Sequence, residues 1–129
     1  MTSRVDVPLE WREQVALVKW LSAHPILKDL YFKNDNEGKR DPRSAVHAQR
    51  MGLRRGVSDL FICYPSRGFH GLFLEMKRSK KYVPSEMSTP TWIAQVKFIE
   101  NVKSVGYAAE MCYGFQEARK IIESYLQFD

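Results

Sequence analysis

The sequence is poor in the residues that hold small folds together covalently or through zinc. It has 2 cysteines among 129 residues and no Cys-x-x-Cys pair, which argues against a structural zinc site. Cys63 and Cys112 each lie in an apolar, strand-like run, so we expect both to be reduced thiols in the core. A chain of this length can bury such a core without covalent or metal cross-links.

Several functional signatures are also missing. The 3 histidines lie far apart and have no spacing typical of metal ligands. No glycine-rich phosphate loop or serine-nucleophile elbow occurs, so ATP-driven chemistry, a nucleotide cofactor and acyl transfer are not expected. No apolar run approaches the roughly 18 residues of a membrane span, and the N-terminal residues lack the apolar core of a signal peptide. We therefore expect a cytoplasmic protein without a membrane partner.

The composition that is present is typical of one soluble domain. Hydrophobic residues make up 44% and charged residues 27% of the chain. We predict a single domain over residues 1–129, with its core at about 9–126. Lysine and arginine outnumber aspartate and glutamate by 20 to 15, a formal net charge of +5. This excess favours a polyanionic partner without identifying one.

Apolar periodicity and turn residues predict an α/β fold with a mixed sheet flanked by helices. Helices are expected over 10–22, 44–51 (capped by Ser44), 89–105 (capped by Thr89) and 115–126. Strands are expected over 30–33, 59–64, 71–77 and 107–113. Because residues 65–68 form a turn, the second and third strands should pair as a hairpin.

This hairpin carries the most informative polar residues. Glu75 and Lys77 are two residues apart, so they project from one face of their strand while Met76 projects from the other. Asp59 begins the neighbouring strand, and a hairpin places the start of one strand beside the end of its partner. We therefore expect the carboxyl groups of Asp59 and Glu75 to converge. The alternative is a surface Glu–Lys pair that arises by chance.

Two adjacent carboxylates repel each other unless a cation neutralises them. Ligand oxygens suit Mg²⁺ or Mn²⁺, which can lower the pKa of a bound water and offset charge on a phosphate. A nearby Lys77 can orient that water or stabilise the transition state.

Two further polar positions occur within apolar arcs. Gln95 lies inside the apolar arc of its helix, so its amide needs a partner, which can be this site or simply the backbone. In the first helix, Glu10 lies in line with Leu17 and Leu21, and Glu13 lies beside them. An inward acidic residue is costly without a cation, although near a helix N-terminus it can instead favour the helix dipole.

Taken in order, these residues resemble the VRR-NUC branch of the PD-(D/E)xK nucleases. The similarity runs from Glu10 to about Tyr125, and its ordered set of motifs is more specific than any one of them. The matching stretches are Glu10 with Gln14, Gly56-Val57-Ser58-Asp59, Gly71-Leu72-Phe73-Leu74-Glu75-Met76-Lys77, Gln95, and Gly106-Tyr107. Ser58 stands where the superfamily pattern has proline, a position that supplies no ligand.

The resemblance implies a restriction-endonuclease-like αβββαβ core and hydrolysis of phosphodiester bonds with Mg²⁺ or Mn²⁺. The implied metal ligands are Asp59, Glu75, the Met76 carbonyl and a first-helix acid, which maps best to Glu10, with Glu13 as the second choice. Lys77 would be the catalytic lysine and Gln95 a supporting polar residue. It looks like the stand-alone form found in phages and bacteria, which implies a DNA partner, a homodimer, branched DNA or Holliday junctions as substrates, and the cytoplasm of a bacterial or phage-infected cell.

Basic residues cluster in the loops around this site. Phosphate contacts from such loops would hold DNA without reading its bases, although each residue alone can equally be solvated surface. The candidates are Lys39, Arg40, Arg43, Arg54, Arg55, Arg78, Lys80 and Lys81. A non-catalytic DNA-binding module on the same fold is the main alternative function, and a small RNA-associated protein is another. A binding module has no need for Asp59, Glu75 and Lys77 together.

Overall fold

A mixed sheet of four strands organises the described part of the chain. The computed structural model describes residues 10–34, 41–78 and 84–127. The strands are β1 (Tyr31–Lys33), β2 (Leu60–Ile62), β3 (Leu72–Lys77) and β4 (Ala108–Tyr113). The helices are α1 (Glu10–Ser22), α2 (Pro42–Arg50), α3 (Pro90–Lys103) and α4 (Phe115–Tyr125), with a short 3₁₀ helix at Pro84–Ser88.

The strands lie in the order β1-β2-β3-β4. β1 and β3 are both antiparallel to β2, and β3 is parallel to β4. Because parallel neighbours need a crossover, α3 connects β3 to β4 across one face of the sheet. The predicted α/β architecture, a mixed sheet flanked by helices, is confirmed.

The core lies on the face of the sheet opposite α3. Strand alternation directs Leu72, Leu74 and Met76 of β3 to this face, where all three are buried. They pack with apolar residues of α1, β2, β4 and α4. These are Leu17, Leu21, Leu60, Ile62, Cys112, Ala118 and Ile122. On the other face, the ring of Phe73 meets Phe98 of α3 edge to face, with centroids 5.2 Å apart.

Helix boundaries follow the capping residues, with two corrections. α3 begins as predicted, with Thr89 accepting a hydrogen bond from the backbone N–H of Trp92, but it ends at Lys103 and not at 105. α2 begins at Pro42, and its cap is Asp41 and not Ser44. Asp41 is the cap because its backbone is extended, as at a helix N-cap, and its side chain accepts a hydrogen bond from the N–H of Ser44.

The two cysteines differ, and one expectation was wrong. Cys112 is buried, but Cys63 is exposed. Cys63 follows the buried Ile62 at the end of β2, and the alternation of side chains turns it away from the core.

Among the described residues, no helix is long and apolar enough to cross a membrane.

Candidate active site

The centre of the site is a pair of buried carboxylates on neighbouring strands. Leu60 pairs with Leu74 in the antiparallel register, so the next step along the hairpin places Asp59 opposite Glu75. Asp59 is 4% exposed and Glu75 2% exposed. Both belong to the face of the sheet that α3 covers. The register thus places the two residues side by side, and the convergence of their carboxyl groups stays a prediction.

The backbone holds Asp59 in place. Its Oδ2 accepts a hydrogen bond of 2.8 Å from the N–H of Met76, the residue after Glu75. The backbone carbonyl of Asp59 accepts a hydrogen bond of 2.8 Å from the backbone N–H of Asn34. The side-chain amide of Asn34 donates a second hydrogen bond, of 3.0 Å, to the backbone carbonyl of Ser58. A carboxylate has about four acceptor positions, so the Met76 bond leaves capacity for a cation. Asn34, which directly follows β1, therefore helps to hold Asp59 in place.

Lys77 reaches the same face and is tethered to α3. Its Nζ donates a hydrogen bond of 2.7 Å to Oε1 of Gln95. The ammonium group also lies 5.4 Å from the centroid of the Trp92 ring, a cation–π contact. Gln95 is thus bound to the predicted catalytic lysine. The apolar arc of this helix gave no indication that Trp92 would contact Lys77.

α3 is brought close to the site by a glycine. Gly56 has φ +89°, and a Cβ built on it would lie 2.5 Å from the carbonyl oxygen of Ala94. The preceding Arg55 donates from Nη2 to Oγ1 of Thr91 at 3.0 Å. The segment before Asp59 therefore packs directly on the turn of α3 that presents Gln95.

The first-helix acids have different environments. Oε2 of Glu13 accepts a hydrogen bond of 2.6 Å from the N–H of Phe115. α4 starts there after Gly114, which supplies no side-chain cap, so Glu13 caps α4 from a distant part of the chain. Glu10 is the first residue of α1, and its side chain lies outside the described residues. The choice between Glu10 and Glu13 as the first-helix acid therefore stays a prediction.

Cys112 lies directly behind the carboxylates. Its Sγ is 3.5 Å from the carbonyl oxygen of Glu75. Burial raises the pKa of this thiol well above its ordinary value, and the charges of Glu117, Glu75 and Asp59 raise it further. These effects favour the protonated thiol over the thiolate.

The donor set available for a metal consists of oxygen atoms. No group of three or more His, Cys, Asp or Glu side chains that could hold a metal occurs within residues 10–34, 41–78 and 84–127. Asp59 and Glu75 supply two carboxylates, and the first-helix acid that the resemblance implies, Glu10 or Glu13, stays a prediction. Buried carboxylates at one end of the two central strands fit Mg²⁺ or Mn²⁺, which accept few protein ligands and retain water.

The basic candidates fall into two groups. Arg43, Arg54 and Arg55 are exposed, and Arg78 is half-buried beside Lys77. The other four lie outside the described residues. These are Lys39, Arg40, Lys80 and Lys81.

No model of a known protein family matches the sequence, and no curated protein matches it either. A solved structure described as "VRR_NUC domain protein" does match, with a TM-score of 0.74 and 25% sequence identity. The match covers 93% of this chain and 89% of that one. This chain has a VRR-NUC fold. The resemblance found in the sequence is confirmed at the level of structure, and the VRR-NUC fold implies a nuclease family whose members generally use a metal and act on DNA.

Proposed function

We propose that this protein is a divalent-metal-dependent DNA endonuclease. The observation that carries the proposal is the pair of buried carboxylates, Asp59 and Glu75, beside the tethered ammonium group of Lys77. Burying two acidic groups on one face of a sheet is costly for folding, and a bound cation would offset that cost. A module that only binds DNA gains nothing from this arrangement.

In the proposed reaction, Asp59, Glu75, the Met76 carbonyl and Glu10 would hold the metal, Mg²⁺ or Mn²⁺. When bound, the ion supplies an acidified water and positive charge beside the phosphate. The water oxygen forms a bond to phosphorus, one ester P–O bond breaks, and the leaving oxygen gains a proton. Lys77 donates hydrogen bonds to the water or to a phosphate oxygen as negative charge accumulates. Gln95 acts as a positioning residue that fixes the ammonium group.

We further propose that the substrate is branched DNA, such as a Holliday junction, and that the enzyme acts as a homodimer in a bacterial or phage-infected cell. This part rests on the likeness to stand-alone VRR-NUC domains. Two sites related by a twofold axis would suit paired cuts across a symmetric junction.

The test compares Glu75→Gln and Lys77→Met with the wild type on labelled duplex, flap and four-way-junction DNA. Both changes preserve side-chain size. We expect each to slow Mg²⁺-dependent cleavage by about 100-fold or more. Lys97→Met, an exposed lysine on α3, is the matched control and should cut like the wild type. Equal cleavage by all four proteins would contradict the assignment, and equal rates on all three DNAs would contradict the preference for branched substrates.

A further inference from the structure

The segment that leads into Asp59 is unusual in its charge. Residues 42–58 contain four arginines and no aspartate or glutamate. These are Arg43, Arg50, Arg54 and Arg55. The whole chain has 15 acidic residues, so an acid-free run of this length concentrates positive charge in one place. Three of the four arginines have no role in the site described above.

The basic side chains of α2 lie on its solvent-exposed face. At about 100° per residue, Arg43, His47 and Arg50 fall within an arc of about 60°. Ala45 and Ala48 lie on the opposite side and are half-buried, whereas the rest of α2 is exposed. The helix therefore rests on two small side chains, and its cationic face is open to solvent.

Burial does not account for the stability of α2. It has no buried residue and only nine in all, and a helix this short is marginal by itself. Its ends are nevertheless well formed. Pro42 begins it, hydrogen bonds from Ser44 hold the Asp41 cap and lower the pKa of that carboxyl, and the N–H of Leu53 closes the last turn on the carbonyl of Ala48. The chain thus keeps a preformed helix with little core contact.

α2 is joined to the active site on both sides. Before it, Asn34 is bonded to Ser58 and Asp59. After it, Arg55 is bonded to Thr91 and Gly56 packs on Ala94 of α3. The chain on both sides of α2 is therefore anchored at the end of the sheet that carries the carboxylates.

We propose that the cationic face of α2 binds the sugar–phosphate backbone of duplex DNA next to the cleavage site, with Arg43, Arg50 and His47 as contacts. This inference rests on the proposed nuclease function. DNA is the favoured occupant because the guanidinium group matches phosphate oxygens in a bidentate fashion and because α2 itself, Pro42–Arg50, contains no acidic residue to repel them. Arg43 and Arg50 are about 10 Å apart along the helix axis, which corresponds to about three nucleotide steps of one strand.

The experiment measures binding and cleavage with Arg43→Gln/Arg50→Gln. The control is Lys19→Gln/Lys28→Gln, which removes the same charge from exposed residues near the other end of the sheet. Affinity for labelled duplexes of two unrelated sequences is measured in EDTA at several salt concentrations. Cleavage is measured with Mg²⁺.

We expect the arginine pair to weaken binding by about 10-fold for both sequences and to reduce the slope of log K against log salt by about 2. KM should rise while kcat at saturating DNA is retained. The lysine pair should bind like the wild type. Circular dichroism of each variant checks that α2 and the fold persist.

Equal affinity of the arginine pair, the lysine pair and the wild type would overturn the proposal, and α2 would then face another partner such as an acidic protein. A loss confined to one DNA sequence would also overturn it, because phosphate contacts do not read bases. The nuclease proposal fails separately: if wild-type protein cuts no DNA but the arginine pair still loses affinity, the binding role of α2 stands and the catalytic role does not.

Discussion

The two faces of strand β3 show how six consecutive residues serve different purposes. Leu72, Leu74 and Met76 face α1 and α4 and are among the most buried side chains of the protein. Phe73, Glu75 and Lys77 alternate with them and face α3. One face stabilises the fold by burying apolar area, and the other places charges where they cost stability. Strand β3 therefore supplies both the packing that fixes the backbone and the polar groups that the proposed chemistry needs.

Changing one residue on each face of β3 tests whether the two faces contribute differently to stability. Leu74→Ala removes three side-chain carbon atoms from the core and should lower the free energy of unfolding by about 2–5 kcal/mol. Glu75→Gln keeps the shape of its side chain and removes the repulsion with Asp59, so stability without metal should be unchanged or higher. Urea unfolding in EDTA measures both.

Activity should show the opposite pattern. At a temperature where both proteins are folded, Leu74→Ala should keep much of its Mg²⁺-dependent cleavage, whereas Glu75→Gln should lose it. If Glu75→Gln unfolds as readily as Leu74→Ala, then the carboxylate is a structural group and the division between the faces is wrong.

A second prediction separates the two acidic residues of α1. Glu13→Gln weakens the cap of α4 and should cost about 1–2 kcal/mol of stability, because the N–H of Phe115 loses a charged acceptor. Glu10→Gln should leave stability in EDTA nearly unchanged. Thermal unfolding with and without Mn²⁺ measures metal binding. The metal-induced rise in Tm should shrink in Glu10→Gln and persist in Glu13→Gln. The reverse result would make Glu13 the first-helix ligand.

Local patterns in the sequence predicted much of this arrangement. The bounds of α1, the Thr89 cap of α3 and the facing of Asp59 and Glu75 follow from helical period, capping chemistry and strand alternation. These features depend on residues close together in the chain. The remainder depends on contacts between distant segments. Glu13 caps a helix about 100 residues away, and Cys63 is exposed because no element within the described residues covers it, which periodicity cannot reveal.

The choice of cap for α2 shows a different limit. Asp41 and Ser44 are both good caps, and they lie within one turn of each other. Local rules favour both residues, so backbone geometry decides between them. The TM-score of 0.74 with the VRR_NUC structure confirms the fold class, while the roles of the individual site residues stay predictions.

The smallest expected effect is that of replacing Ser58, and it tests whether this residue belongs to the core or to the site. Alternation from Leu60 places Ser58 on the core side and Asp59 on the site side. Ser58 is 1% exposed, and its hydroxyl has no hydrogen-bond partner among the described residues. A buried hydroxyl without a partner destabilises a fold, so Ser58→Ala should raise the free energy of unfolding by up to about 1 kcal/mol and leave cleavage unchanged. Urea unfolding and a cleavage assay measure these outcomes, and Asp59→Asn, which should lose cleavage, is the adjacent control. If Ser58→Ala instead lowers both stability and the metal-induced rise in Tm, the hydroxyl belongs to the metal site, and the superfamily's proline position has gained a polar role in this chain.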